Sequence, residues 1–167
     1  MDNKLQEFIE LTAAILDIDD YEIRVDQENQ LDKTTKAGYV FGTSTILINE
    51  ALTNPLTSDK YIEVFMIIAH EMRHMWQALY HSDTFYVDGY ITENDNEAAY
   101  ERQLSEVDAN AFAWLMIEFY FGKHPAKGTW KIHSYDLINE RAFEISDDYY
   151  ICCCILVKRS VKQSKIQ

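Results

Sequence analysis

Proline and glycine are scarce in this chain, with two prolines and five glycines among 167 residues. That excludes collagen-like, proline-rich and low-complexity architectures, and 47% apolar with 26% charged residues reads as an ordered globular chain. Cationic charge is also short, since 15 Lys and Arg face 28 Asp and Glu and leave a formal net charge of -13. Such a surface repels a phosphate backbone, which excludes direct nucleic-acid binding as the main activity. The basic tail (Lys158, Arg159, Lys162, Lys165) reads as a solvated terminus. Long hydrophobic runs are missing too: "FMIIA" and "YYICCCILV" fall far short of the about 20 residues that span a bilayer, so no membrane partner is expected. Cysteine is confined to Cys152, Cys153 and Cys154. Sequence neighbours make poor disulfide partners and an odd count leaves a free thiol, a pattern suited to a reducing compartment; the apolar neighbours of the run make it a core element. The acidic opening "MDNKLQEFIELTAAILDIDD" lacks the basic-then-apolar order of a signal peptide. The expectation is a cytoplasmic protein with one domain over residues 1–167.

What is present is helical texture around a short β-rich segment. Leu5, Phe8, Ile9, Leu11, Thr12, Ile15 and Leu16 recur at helical spacing and predict a helix over residues 3–17. From Tyr21 to Asn49 β-branched and aromatic residues alternate with turn signals, and "YEIRV", "GYVFGT" and "STILIN" read as strands. Ser58 or Asp59 suits the cap of a helix running to about Tyr80. A looser segment, "HSDTFYVDGYITENDN", follows; Asn94 with Glu97 resembles a capping box that opens a long helix from about Asp95 to Phe121, stopped by "GKHPAKG". A further helix is expected around Ser134 to Ile145, and a buried strand or helix at Tyr149 to Val157.

Inside the helix after Ser58 lies "IIAHEMRHMWQAL". Residues four apart share a helical face about 6 Å from one another, so His70 and His74 can reach one metal ion. Glu71 sits one step round, too far to be a ligand with them but able to touch a metal-bound water. Given the residue counts, this His-Glu-x-x-His pattern arises by chance roughly once in a hundred such chains. A catalytic zinc site needs a third protein ligand and leaves the fourth position to water. His81, His124, His133 and several carboxylates are candidates, and "SEVDANAFAWL" on the next helix favours Glu106. Glu106 and Asn110 are four apart, and Ala99, Ala109 and Ala113 lie along or beside the same face, small enough to let that helix approach the first. Asn110 is then placed to accept a hydrogen bond from the far nitrogen of a ligating imidazole, which fixes its tautomer. Phe85, Tyr86 and Tyr90, in the segment between the two helices, read first as packing; one tyrosine could instead donate to a developing oxyanion. His81 reads as a surface residue.

"HEMRH" followed about thirty residues later by "EVDANAFA" resembles the gluzincin metallopeptidases, and most of all the ImmA/IrrE group, whose second motif is E-x-x-A-N-x-F-A. The resemblance covers roughly Tyr39 to Met116. It implies that His70, His74 and Glu106 ligate zinc, that Glu71 is the catalytic glutamate, and that "STILIN" is a strand beside the active-site helix. It also implies a protein substrate such as a bacterial or phage repressor. Arg73 stands where the family commonly has glycine, Trp76 is unusual, and the residues after Phe119 lack the family's usual ending.

The fold expected is α+β, a small antiparallel sheet packed on the motif helix and a second ligand-bearing helix, with additional helices. The function expected is zinc-dependent hydrolysis of a peptide bond by a metal-activated water with Glu71 as base. The alternative is an inactive metal-binding or protein-interaction domain.

Overall fold

In the N-terminal segment the apolar spacing is that of a helix with one buried stripe. In the computed structural model, which describes residues 3–32, 34–53, 58–122 and 134–146, α1 (Asn3–Leu16) buries Leu5, Phe8, Ile9, Thr12, Ala13 and Leu16. Thr12 turns its hydroxyl back to the Phe8 carbonyl at 2.7 Å, so the buried stripe carries no unpaired polar group there. Asp17, in a left-handed conformation at φ 55°, ends the helix.

Three short strands follow, β1 (Glu22–Val25), β2 (Ala37–Val40) and β3 (Thr45–Ile48), in the order β1-β3-β2. β2 and β3 pair antiparallel through a tight hairpin in which Gly42 takes φ 80°. β1 pairs with β3 in parallel. The sheet is therefore mixed, which corrects the antiparallel one expected. The reason lies in the strand compositions. Ile46, Leu47 and Ile48 are all buried, so β3 reads apolar on both faces and takes the centre. β1 alternates exposed Glu22 and Arg24 with half-buried Ile23 and Val25, and takes an edge. Because the chain goes out along β1, back along β2 and out again along β3, a central β3 must run parallel to β1.

After a single helical turn, α2 (Glu50–Thr53), the motif helix α3 spans Ser58–Tyr80. It lies against α1, against β2 and most extensively against α6 (Leu104–Phe121). Ile68, Ala69, Met72 and Met75 on α3 are completely buried, as are Ala109, Ala111 and Ile117 on α6. The long helix expected from Asp95 is broken in two: one turn, α5 (Glu97–Tyr100), and then α6. The cap of α5 is Asn96, whose side chain accepts from the Ala99 N–H, and not Asn94. The break falls before Leu104 because the Gln103 side chain is used elsewhere: it accepts from the Ile91 N–H and donates to the Ile91 carbonyl, while its own backbone is extended. That bracing holds the connecting segment, which contains one further turn, α4 (Ser82–Phe85), against the start of α6. Gly122, at φ 61°, closes α6 by returning its N–H to Glu118. The helix expected after Ser134 is present as α7 (residues 134–146), with Ile138, Ala142 and Ile145 buried and Tyr135 stacked on Trp114 of α6. The expected element at Tyr149 to Val157, with the cysteine run, lies outside the described residues, as do His124 and His133. No helix among the described residues is long and apolar enough to cross a membrane.

Candidate metal centre

On α3, the four-residue spacing stacks His70 and His74 with their ring centroids 4.5 Å apart and their Nε2 atoms 3.0 Å apart. From α6, Glu106 brings its carboxylate between them, with Oε2 at 3.3 Å from His70 Nε2 and Oε1 at 3.1 Å from His74 Nε2. Glu106 is in the first turn of α6, so the partial positive charge of that helix end stabilises its negative charge. Its helix approaches α3 closely because Ala109 and Ala113, both buried, offer no bulk. One ligand atom from each of the three residues lies within 4.8 Å of the others, a group that could hold a metal ion.

Metal–ligand bonds of about 2.0–2.1 Å in a tetrahedron require ligand atoms about 3.3–3.4 Å apart; the two Nε2 atoms are 3.0 Å apart, and each lies within 3.1–3.3 Å of a different oxygen of Glu106. Two imidazole nitrogens and a carboxylate, 2% exposed at Glu106 and 7% at His74, form a donor set that needs a cation or a proton among them. The electrostatics say the same. Burial depresses the proton affinity of His74, but the charge of Glu106 and its hydrogen bond outweigh that and raise the pKa to about 9. Burial pushes the Glu106 carboxyl up, and His74 and His70 overcome it and hold the group well below the usual carboxylate range.

Glu71 is half-buried beside the cluster, and its Oε2 accepts from the backbone N–H of Tyr39 on β2 at 2.8 Å. The edge strand thus fixes one carboxylate oxygen of Glu71. Two cavities, of about 620 and 600 Å³, open here, and both are lined by His70, Glu71, Tyr90 and Tyr100. The second also reaches His74, Tyr39, Phe41 and Tyr86.

The tyrosines of the connecting segment do more than pack. Tyr90 donates its hydroxyl to Glu106 Oε1 at 2.5 Å, and Tyr86 donates to Gln77 Oε1 at 3.1 Å. Burial, then the negative charge of Glu106, raises the pKa of Tyr86, Tyr90 and Tyr100, so all three remain protonated donors. Phe85 faces Trp76 at 6.3 Å. His81 stacks on Trp76 at 4.2 Å and takes no part in the metal-capable group. Asn110 lines the cavity shared with His70 and Glu71, and its amide donates to the Glu106 carbonyl at 2.9 Å, one turn back on its own helix.

Sequence reasoning missed two participants. Gln77 is completely buried and lies 2.9 Å from His74 Nδ1. Asp108, also completely buried, accepts from Arg73 Nε at 2.7 Å, Gln77 Nε2 at 2.9 Å and Arg141 Nη2 at 2.8 Å. The local signal for Gln77 was there: His70, His74 and Gln77 repeat at the spacing of one helical face. Comparison of the chain with protein-family models, with curated proteins and with solved structures finds no match in any of the three.

Proposed function

We propose that this chain is a zinc-dependent metallopeptidase that hydrolyses a peptide bond in a protein substrate. The observation that carries the reading is the convergence of His70, His74 and Glu106 within 4.8 Å of one another, next to a carboxylate that is not part of the set. Three protein ligands with open space beside them fit a catalytic zinc site, whereas a structural zinc site closes with a fourth protein ligand. Zinc bound there would supply Lewis acidity and make its water acidic enough to ionise near neutral pH. Glu71 is the proton carrier: one oxygen is occupied by the Tyr39 N–H, and the other is left to take a proton and return it to the leaving amine. Tyr86, Tyr90 and Tyr100 stand protonated at the cavity wall; to serve a developing oxyanion, Tyr86 would have to turn its hydroxyl from Gln77 and Tyr90 from Glu106. The edge strand β2 runs along the same cavity through Ala37, Gly38 and Tyr39, so an extended peptide can pair with it. By the resemblance noted above, the substrate is a repressor-like protein.

The test is metal content followed by cleavage. Purified protein should hold about one zinc per chain and cut an unstructured protein or a peptide mixture in a zinc-dependent way. Absence of bound zinc after loading, or cleavage that persists after complete metal removal, would overturn the proposal.

A further inference from the structure

We propose that Gln77 is a positioning residue that keeps the proton of the neutral His74 ring on Nδ1 and so turns the Nε2 lone pair toward the metal. The inference rests on the metal reading above and adds how one ligand is prepared for it. Gln77 places Nε2 3.0 Å from the Ser105 carbonyl and 2.9 Å from Asp108 Oδ2. A carbonyl and a carboxylate only accept, so the end of the amide facing them must be the NH₂. The opposite orientation would set Oε1 against two acceptors and strand two buried N–H groups, at about 1–3 kcal/mol for each unpaired group. Oε1 therefore faces the other way, 2.9 Å from His74 Nδ1 and 3.1 Å from the Tyr86 hydroxyl. An amide oxygen has no proton to give. Both neighbours must donate, and Nδ1 carries the hydrogen. Nε2 faces His70 Nε2 and Glu106 Oε1; with a metal in place of the proton there, the ring keeps the one on Nδ1 and Nε2 is left as the bare nitrogen.

Asp108 is what prevents Gln77 from turning over. Its Oδ2 accepts from Arg73 Nε at 2.7 Å, and its Oδ1 from Arg73 Nη2 at 3.2 Å and from Arg141 Nε at 2.9 Å. With both oxygens held by guanidinium groups it stays an ionised acceptor. The sense of one hydrogen bond is thus transmitted from Arg141 on α7, through Asp108 on α6 and Gln77 on α3, to the face of His74 away from the cluster. Replacing an aspartate that orients a catalytic histidine in serine proteases leaves the geometry intact but selects the wrong tautomer, so the physical effect has a precedent.

Two substitutions in the full chain separate positioning from packing. Gln77→Met keeps length and volume but accepts no hydrogen bond of comparable strength. Gln77→Glu keeps an oxygen on His74 Nδ1 but sets a second carboxylate against Asp108. Positioning predicts that Gln77→Met weakens zinc binding by about 10–100-fold in chelator competition, while Gln77→Glu stays close to the wild type even though it melts at the lower temperature. Zinc affinities that simply follow the melting temperatures, or an unchanged Gln77→Met, would overturn the proposal. A further measurement is independent of zinc. In metal-free protein, ¹⁵N-resolved NMR should show a proton on His74 Nδ1 that is protected from exchange, with the protection lost in Gln77→Met. A freely exchanging Nδ1 proton, or protection that survives Gln77→Met, overturns the proposal. If the protein takes up no zinc but the Nδ1 proton is protected by Gln77, the metal reading fails and the assignment of Gln77 stands.

Discussion

Two buried charged clusters bridge α3 and α6, side by side. Arg73, Gln77 and Asp108, joined by Arg141 from α7, make one; His70, His74 and Glu106 make the other. The first is complete. Both Asp108 oxygens accept guanidinium bonds, and the outer side of Arg141 pairs with Glu144 at 2.7 Å, so two cations meet two anions. The second sets two imidazole nitrogens 3.0 Å apart against one carboxylate, with Tyr90 donating to that carboxylate but no guanidinium or ammonium in the set. It needs a positive charge from outside, and in the metal-free state it takes a proton on His74. Burial of charge alone does not mark a functional site. What makes a cluster a candidate is a buried charged group that its own fold leaves unfinished.

The largest effect expected concerns Glu71, which belongs to neither cluster. Glu71→Gln should lower peptide cleavage by about 10²–10⁴-fold while zinc content stays at about one per chain. Metal analysis and a turnover assay on the same preparation check both halves. Next comes the closed cluster. Asp108→Ala strands Arg73 and Arg141 and should cost about 3–5 kcal/mol in metal-free protein by denaturant titration. Glu106→Ala should cost clearly less there, because His74 can give up its proton, yet it should abolish stabilisation by added zinc. Equal losses would break the comparison. The Asp108 contribution has a definite sign: burial raises its pKa but Arg73 and its other partners pull it below the ordinary value, so the stabilisation is present at neutral pH and lost as acid protonates the group.

A third expectation concerns pH and the open cluster. His74 is raised from 6.5 to about 9, so in metal-free protein its ion pair with Glu106 contributes fully below 6.5 and fades as pH rises through about 9. Zinc must displace that proton. Apparent zinc affinity should climb by up to about tenfold per pH unit from near neutrality and level off above the His74 pKa, with calorimetry in buffers of different ionisation enthalpy reporting the proton released. The smallest effect is expected at Asn110. It holds the turn that carries Glu106, and Asn110→Leu should weaken zinc binding by about tenfold in chelator competition, toward the low end for residues that support a metal ligand.

The parts of this arrangement legible in the sequence are those with a local period. The His70–His74 spacing is set within one helix, and Glu106 could be named because the small residues of its helix signal a close approach. The strand positions, the helix starting at Ser58 and the helix at residues 134–146 follow from pattern and punctuation. The parallel pairing of β1 with β3 was not legible, because it depends on which strand wins the buried centre. Nor was the break before Leu104, which depends on Gln103 reaching Ile91, twelve residues away. Arg73 read as an oddity and Asp108 as nothing in particular, since a pair 35 residues apart leaves no trace in either neighbourhood.

That pair has a consequence for how such chains can diverge. Arg73 and Asp108 stand at unwritten positions of the two patterns that carry the resemblance, the second x of H-E-x-x-H and the second x of E-x-x-A-N. In this chain they are bound to each other, with Arg73 also lying 3.6 Å over the Trp76 ring. A lineage that replaced the arginine alone would bury a carboxylate short of a partner, and one that replaced the aspartate alone would bury a cation. Neither intermediate is a small step, so descendants of this sequence should keep both residues or exchange both, with position 76 drifting in company. Positions that a motif leaves open can still be inherited as a unit.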